Sequence, residues 1–158
     1  MKELHITTVV KSIEYGELSE WQRELVDKAR SATYRSYAPY SRFNVGAAIL
    51  LDNGEIVTGA NQENAAFPSS TCAERTACYY AHAAYPDASF KAIAIAARDT
   101  DGQEVNVPIS PCGSCRQALL EYETLAGKNV EVLLVGKNDI FVLPSVRSLL
   151  PLAFAEFS

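Results

Sequence analysis

The sequence predicts an α/β domain: one mixed β-sheet of about five strands, covered on both faces by helices in a three-layer α/β/α arrangement. Three observations carry this. Val45–Leu51 and Glu55–Ala60 flank Asp52-Asn53-Gly54, and Asn-Gly between apolar runs is the strongest short hairpin signal. Strand-like and helix-like segments alternate after that hairpin. At 158 residues, without repeats, low-complexity tracts or a linker, the chain suits one domain with a substantial core.

Taken in order, residues 1–19 form an extension of unassigned role, in which Ile6-Thr7-Thr8-Val9-Val10 has the composition of an edge strand or an oligomer contact. A helix follows behind a Ser19 cap, with Leu25, Val26, Ala29 and Ala32 recurring at three-to-four spacing, and Pro39 closes that region. After the hairpin, a loop rich in Asn, Pro and Ser leads into a helix from about Cys72 to Tyr85, stopped by Pro86. Phe90–Ala97 is apolar and β-competent. Ser110-Pro111 has the form of a helix start, Ser as cap and Pro in the first position, for a helix reaching about Glu123. Val130–Val135 and Asp139–Leu143 read as strands, and Ser145–Leu150 as a short last helix.

Composition narrows the function classes. Apolar residues are 48% and charged residues 21%, ordinary for a soluble globular chain. The formal net charge is −5 and no run of Lys and Arg occurs, which opposes a polynucleotide partner and favours a small free substrate. No stretch has the form of a signal peptide or the length of a membrane span, so a cytoplasmic protein is expected, with reduced thiols available to a metal. Of the four cysteines, Cys78 lies in an apolar run and is assigned to packing.

The other three carry the chemistry. Cys72-Ala73-Glu74-Arg75 and Pro111-Cys112-Gly113-Ser114-Cys115 supply three thiols and one carboxylate. A structural zinc closes its tetrahedron with four protein ligands, whereas a hydrolytic zinc keeps one position for water. Cys112 and Cys115, three apart, share a helix face, and both motifs fall at predicted helix starts, where the dipole favours thiolate. Glu74 stands two residues from Cys72 and suits a proton carrier better than a ligand. Arg75 is expected to draw charge from the sulfurs and keep the metal acidic. A zinc ribbon would require a second Cys-x-x-Cys, which is missing.

A Cys or His, one residue, a Glu, then Pro-Cys-x-x-Cys is the pattern of zinc nucleobase deaminases. Here the chain resembles the small homotetrameric cytidine deaminases, over roughly residues 22–155. The resemblance includes Tyr40–Ala48, Asn61–Pro68, Pro111–Gln117 and Leu149–Phe154. It implies one zinc per subunit on Cys72, Cys112 and Cys115, Glu74 as proton shuttle, and residues 20–158 as the catalytic domain. It also implies ribose contacts from Asn61 and Glu63, base contacts from the Ala73 backbone, Phe43 packing on the nucleoside, and Phe154 reaching a neighbouring subunit in a homotetramer. An amide and a carboxylate two apart in an extended loop suit a sugar diol. Asn44 and Phe67 depart from the family's usual Pro and Tyr. The implied reaction is deamination of cytidine and deoxycytidine to uridine and deoxyuridine with release of ammonia, in pyrimidine salvage. The competing readings are deamination of a cytosine-bearing nucleoside antibiotic, editing of a polynucleotide, and a non-catalytic zinc-stabilised interaction module.

Overall fold

The computed structural model describes residues 1–155. Six strands form one sheet in the order β1-β6-β5-β4-β2-β3: β1 (Lys11–Glu14), β2 (Asn44–Leu51), β3 (Ile56–Ala60), β4 (Phe90–Arg98), β5 (Glu131–Val135) and β6 (Asp139–Leu143). Only β4 and β5 pair in parallel; the other neighbours are antiparallel. The strand beyond the expected five is β1, which pairs with β6. It begins after the β-prone run Ile6–Val10, which itself has no strand partner and is exposed throughout.

Side chains alternate between the two faces of the sheet, and each face builds its own core. Helix α1 (Glu20–Ala32) covers one face, with Leu25, Val26 and Ala29 packed on Ala48, Leu50, Ala92, Ala94 and Ala96. Its first turn is held by Ser19 as cap, whose amide donates to Gln22 Oε1 at 3.0 Å. Helices α2 (Ala73–Ala84) and α3 (Gly113–Ala126) cover the other face, over Ala47, Ile49, Val57, Ile93, Ile95, Val132 and Leu134. The three expected layers are therefore present. Gly127, at φ 63, supplies the left-handed residue that ends α3. The short last helix is a single 3₁₀ turn over Val146–Leu149, behind Ser145.

One correction concerns the start of α3. The cap is Cys112, two residues beyond Ser110, and the first helical bond runs from Arg116 N to the Cys112 carbonyl at 3.0 Å. Ser110 and Pro111 stay outside the helix because the Arg116 side chain occupies their oxygens: Nη2 donates to Ser110 Oγ at 2.7 Å and Nε to the Pro111 carbonyl at 2.9 Å.

The topology brings two helix starts to one edge. β3 and β4 are both antiparallel to β2, so they point the same way and end level with the start of β2: Ala60 lies opposite Gly46, and Arg98 opposite Asn44. A bridge between Gln62 and Thr71 folds the next loop back, so α2 starts directly above the end of β3. Two glycines let helices lie close on this edge. A Cβ on Gly46 would run into the backbone of the last turn of α1 at Ala29 and Ala32, and of Thr33 just beyond it. A Cβ on Gly59 would stand 2.6 Å from both the Ala73 carbonyl oxygen and the Ala77 amide. Since backbone cannot yield as a flexible side chain would, Gly59→Ala should cost about 1–3 kcal/mol by overpacking. Urea unfolding measures this, and an unchanged midpoint would show that α2 rides less tightly than described.

Candidate metal centre

Cys72 caps α2, Cys112 caps α3, and Cys115 is the third residue of α3. Their three sulfurs lie within 4.8 Å of one another, and Cys72 Sγ stands 3.9 Å from Cys112 Sγ. Two thiolates at about 2.3 Å from a tetrahedral zinc would stand about 3.8 Å apart, so the donor set fits that ion. All three sulfurs belong to the starts of α2 and α3, where the helix dipole favours negative charge. Arg75 Nη2 donates to Cys72 Sγ at 3.6 Å. Glu74, the second residue of α2, is buried, with 4% of its surface exposed.

Residues 19–126 match the family model of the cytidine and deoxycytidylate deaminase zinc-binding region. A cytidine deaminase of Sporosarcina psychrophila is 39% identical over 133 residues, spanning 84% of this chain and 90% of that protein. One from Halalkalibacterium halodurans is 38% identical over 130 residues, spanning 82% and 91%. The crystal structure of cytidine deaminase from Burkholderia pseudomallei superposes with a TM-score of 0.72 at 37% identity, over 87% of this chain and all of that one. This chain is an enzyme of the cytidine deaminase family.

Several of the other residues that the family resemblance singled out are already engaged with the protein. Asn61 Oδ1 accepts from Ser36 Oγ at 2.6 Å and from the Val45 amide at 2.8 Å, and its Nδ2 donates to the Phe43 carbonyl at 2.9 Å. One Nδ2 hydrogen is left over from these bonds. Glu63 accepts from the Tyr40 amide at 2.8 Å and from the Ser41 amide and hydroxyl. Those bonds hold a loop in which Arg42 adopts the left-handed region at φ 58, a conformation costing about 1–2 kcal/mol for an L-residue. Asn61 and Glu63 thus shape the 36–45 loop, a role their spacing does not reveal. Phe43 is half-buried in that loop. Ala73 is fully buried against Gly59, with its backbone at the first turn of α2. Phe154 is exposed, and its carbonyl accepts from Gln117 Nε2 at 2.8 Å. Phe67 is exposed and meets the Tyr40 ring edge-on at 5.7 Å.

Two polar anchors were missed by the sequence reading. Arg116 ties the α3 start to the Leu149 carbonyl at 2.8 Å. Buried Glu123 accepts from the amides of Val130, Val146 and Arg147 at 2.7–3.0 Å, capping the last 3₁₀ turn. The signal for Arg116 was its place directly after Cys115. Glu123 carried none, because its partners lie in other elements.

Electrostatics separate the thiols. Cys72 accepts hydrogen bonds from the Cys115 thiol and the Arg75 guanidinium, which lower its pKa to about 5 despite partial burial. Donating to Cys72, together with burial, pushes Cys115 far up. Burial pushes Cys78 up to about 12, in keeping with a packing role. Burial also raises the Glu74 carboxyl, and the Cys72 charge adds to this, while a bond from its own backbone amide, with Cys115 and Arg75, opposes it.

A depressed thiol is ionised above its own pKa. In metal-free protein, alkylation of Cys72 should therefore rise through about pH 5 and be complete at neutrality, whereas an ordinary thiol rises near about 8.5. Peptide mapping after brief iodoacetamide treatment reads this. Labelling that begins only near the ordinary thiol range would contradict the shift.

Proposed function

We propose that this enzyme is a zinc-dependent hydrolase that deaminates cytidine and deoxycytidine to uridine and deoxyuridine with release of ammonia, serving pyrimidine salvage. The observation that carries this reading is the closure of three thiols within 4.8 Å at two helix starts, with a buried carboxyl two residues from one of them. In it, residues 20–158 form the catalytic unit and residues 1–19 an extension.

Cys72, Cys112 and Cys115 would hold one zinc ion, which supplies Lewis acidity and lowers the pKa of water at the site. Glu74 carries the protons. Burial raises its pKa, which suits a group that must both take and give a proton. It accepts one proton from the attacking water and delivers it to the ring nitrogen, then takes the remaining hydroxyl proton from the tetrahedral carbon and delivers it to the departing amine. Water oxygen becomes the carbonyl, the carbon–nitrogen bond breaks, and ammonia leaves. Arg75, donating to Cys72, withdraws charge from a three-thiolate site that would otherwise be a weak Lewis acid.

Around that chemistry, backbone groups at Ala73 read the base. Phe43 packs on the nucleoside. The spare Asn61 N–H and the remaining lone pairs of Glu63 meet the sugar hydroxyls, in a loop already held in shape by their other bonds. Net charge of −5 supports a free nucleoside over a polynucleotide. No helix among the described residues is long and apolar enough to cross a membrane. Phe154 reaches the site of a neighbouring subunit in a homotetramer, and exposed Tyr79, Tyr80 and Leu125 on α2 and α3 offer apolar surface for assembly.

Purified protein incubated with cytidine, deoxycytidine, cytosine and CMP should consume the two nucleosides, followed by loss of cytosine absorbance. Glu74→Gln should keep its zinc and lose turnover by about 10²–10⁴-fold. Turnover of CMP in place of cytidine, or a fully active Glu74→Gln, would reject the assignment. Light scattering should give four times the chain mass, and an active monomer would remove the subunit-bridging role of Phe154.

A further inference from the structure

Arg116 sits one residue after Cys115, and its guanidinium turns back past the start of α3. The fork engages three acceptors at once. Nε donates to the Pro111 carbonyl at 2.9 Å, Nη2 to Ser110 Oγ at 2.7 Å, and Nη1 to the Leu149 carbonyl at 2.8 Å. The first two acceptors lie immediately before Cys112. The third stands at the end of the last 3₁₀ turn, where the C-terminal segment departs. The next side chain, Gln117, donates to the Phe154 carbonyl further along that segment. One planar group, with donors in fixed directions, therefore sets both the approach of Cys112 to its helix and the path of the chain after Leu149.

We propose that Arg116 is a positioning residue that couples the Cys112–Cys115 half of the metal centre to the C-terminal segment, residues 149–155. The inference rests on the reading of the three cysteines as a zinc site. Zinc fixes Cys112 and Cys115 relative to Cys72. A fixed Cys112 fixes Pro111, and the guanidinium shared by Pro111 and Leu149 then loses its freedom to swing. The segment is held as a consequence. The linkage runs both ways, because a ligand that orders the segment favours the ligand-ready cysteines by the same factor. The bonds of the Arg116 guanidinium go to Pro111, Ser110 and Leu149. No lysine could replace it fully, since an ammonium is a compact point charge without the planar fork.

Two measurements test this together: zinc affinity by chelator competition, and amide hydrogen exchange across residues 149–155 with and without zinc. Arg116→Gln should weaken zinc about 10–100-fold, the range for removing a group that orients metal ligands. It should also speed exchange of the segment in metal-free protein. Zinc should slow that exchange in the wild type and leave it unchanged in Arg116→Gln. Arg116→Lys should recover part of both effects. Ser110→Ala removes one exposed acceptor without touching the core, and should shift both readouts the same way by less. Wild-type zinc affinity in Arg116→Gln, or wild-type exchange that ignores zinc, overturns the coupling. Unchanged exchange in metal-free Arg116→Gln overturns the positioning role by itself. A wild-type protein that takes up no zinc overturns the reading of the centre and the coupling with it.

Discussion

The close seating of α2 on β3 is the constraint from which the rest of this site follows. Gly59 leaves no side chain between the strand and the helix backbone at Ala73 and Ala77. The first turn of α2 is thus pressed onto the sheet where β3 and β4 both end. Ridge-and-groove packing of larger side chains would hold the axes about 8–10 Å apart, as between ordinary helices. Here a bare strand admits the helix directly. Parallel-pointing strands whose C-terminal ends gather at one edge are a general place for ligands in α/β proteins. The glycine turns that general property into a defined one, because it sets the height of Cys72 above the sheet.

Charge is then handled by backbone as much as by side chains. Three thiols converge at two helix starts, where the dipole favours negative charge, and the Cys115 thiol donates to Cys72, whose ionisation is the one favoured. Arg75 adds a full positive charge beside Cys72. Glu74 experiences the opposite balance to Cys72: burial raises its pKa while that of Cys72 falls. Two acidic groups on one helical turn are driven apart in this way, as happens where a site needs both an ionised and a protonatable partner.

Much of this was legible in the residues. Asn53-Gly54 specified the hairpin, and Gly54 does take a positive φ of 90. The apolar spacing of Leu25, Val26, Ala29 and Ala32 named the buried stripe of α1. The grouping of Cys72, Cys112 and Cys115 was readable because chemistry restricts which residues hold a metal. What failed shares one physical cause: competition from distant partners. Ser110-Pro111 has good local credentials as a helix start, but Arg116 satisfies those oxygens first. Distant partners likewise give Asn61 and Glu63 a second task that their spacing does not show, holding the 36–45 loop in shape. Ile6–Val10 has better strand composition than Lys11–Glu14, but only the latter lies in register with β6. Local pattern cannot rank such alternatives, since the deciding acceptor lies dozens of residues away.

The pairing of β1 with β6 has a colloidal consequence. β6 presents Ile140, Phe141 and Val142, and as a free edge it would offer an apolar ladder to any passing strand. Covering it with Lys11-Ser12-Ile13-Glu14 replaces that ladder by a short, exposed border bearing a charge at each end. A border of that kind is a poor template for fibre growth. The N-terminal segment thus shields the chain against self-adhesion during folding and at high concentration, on the strand farthest in the sheet from the glycine that seats α2.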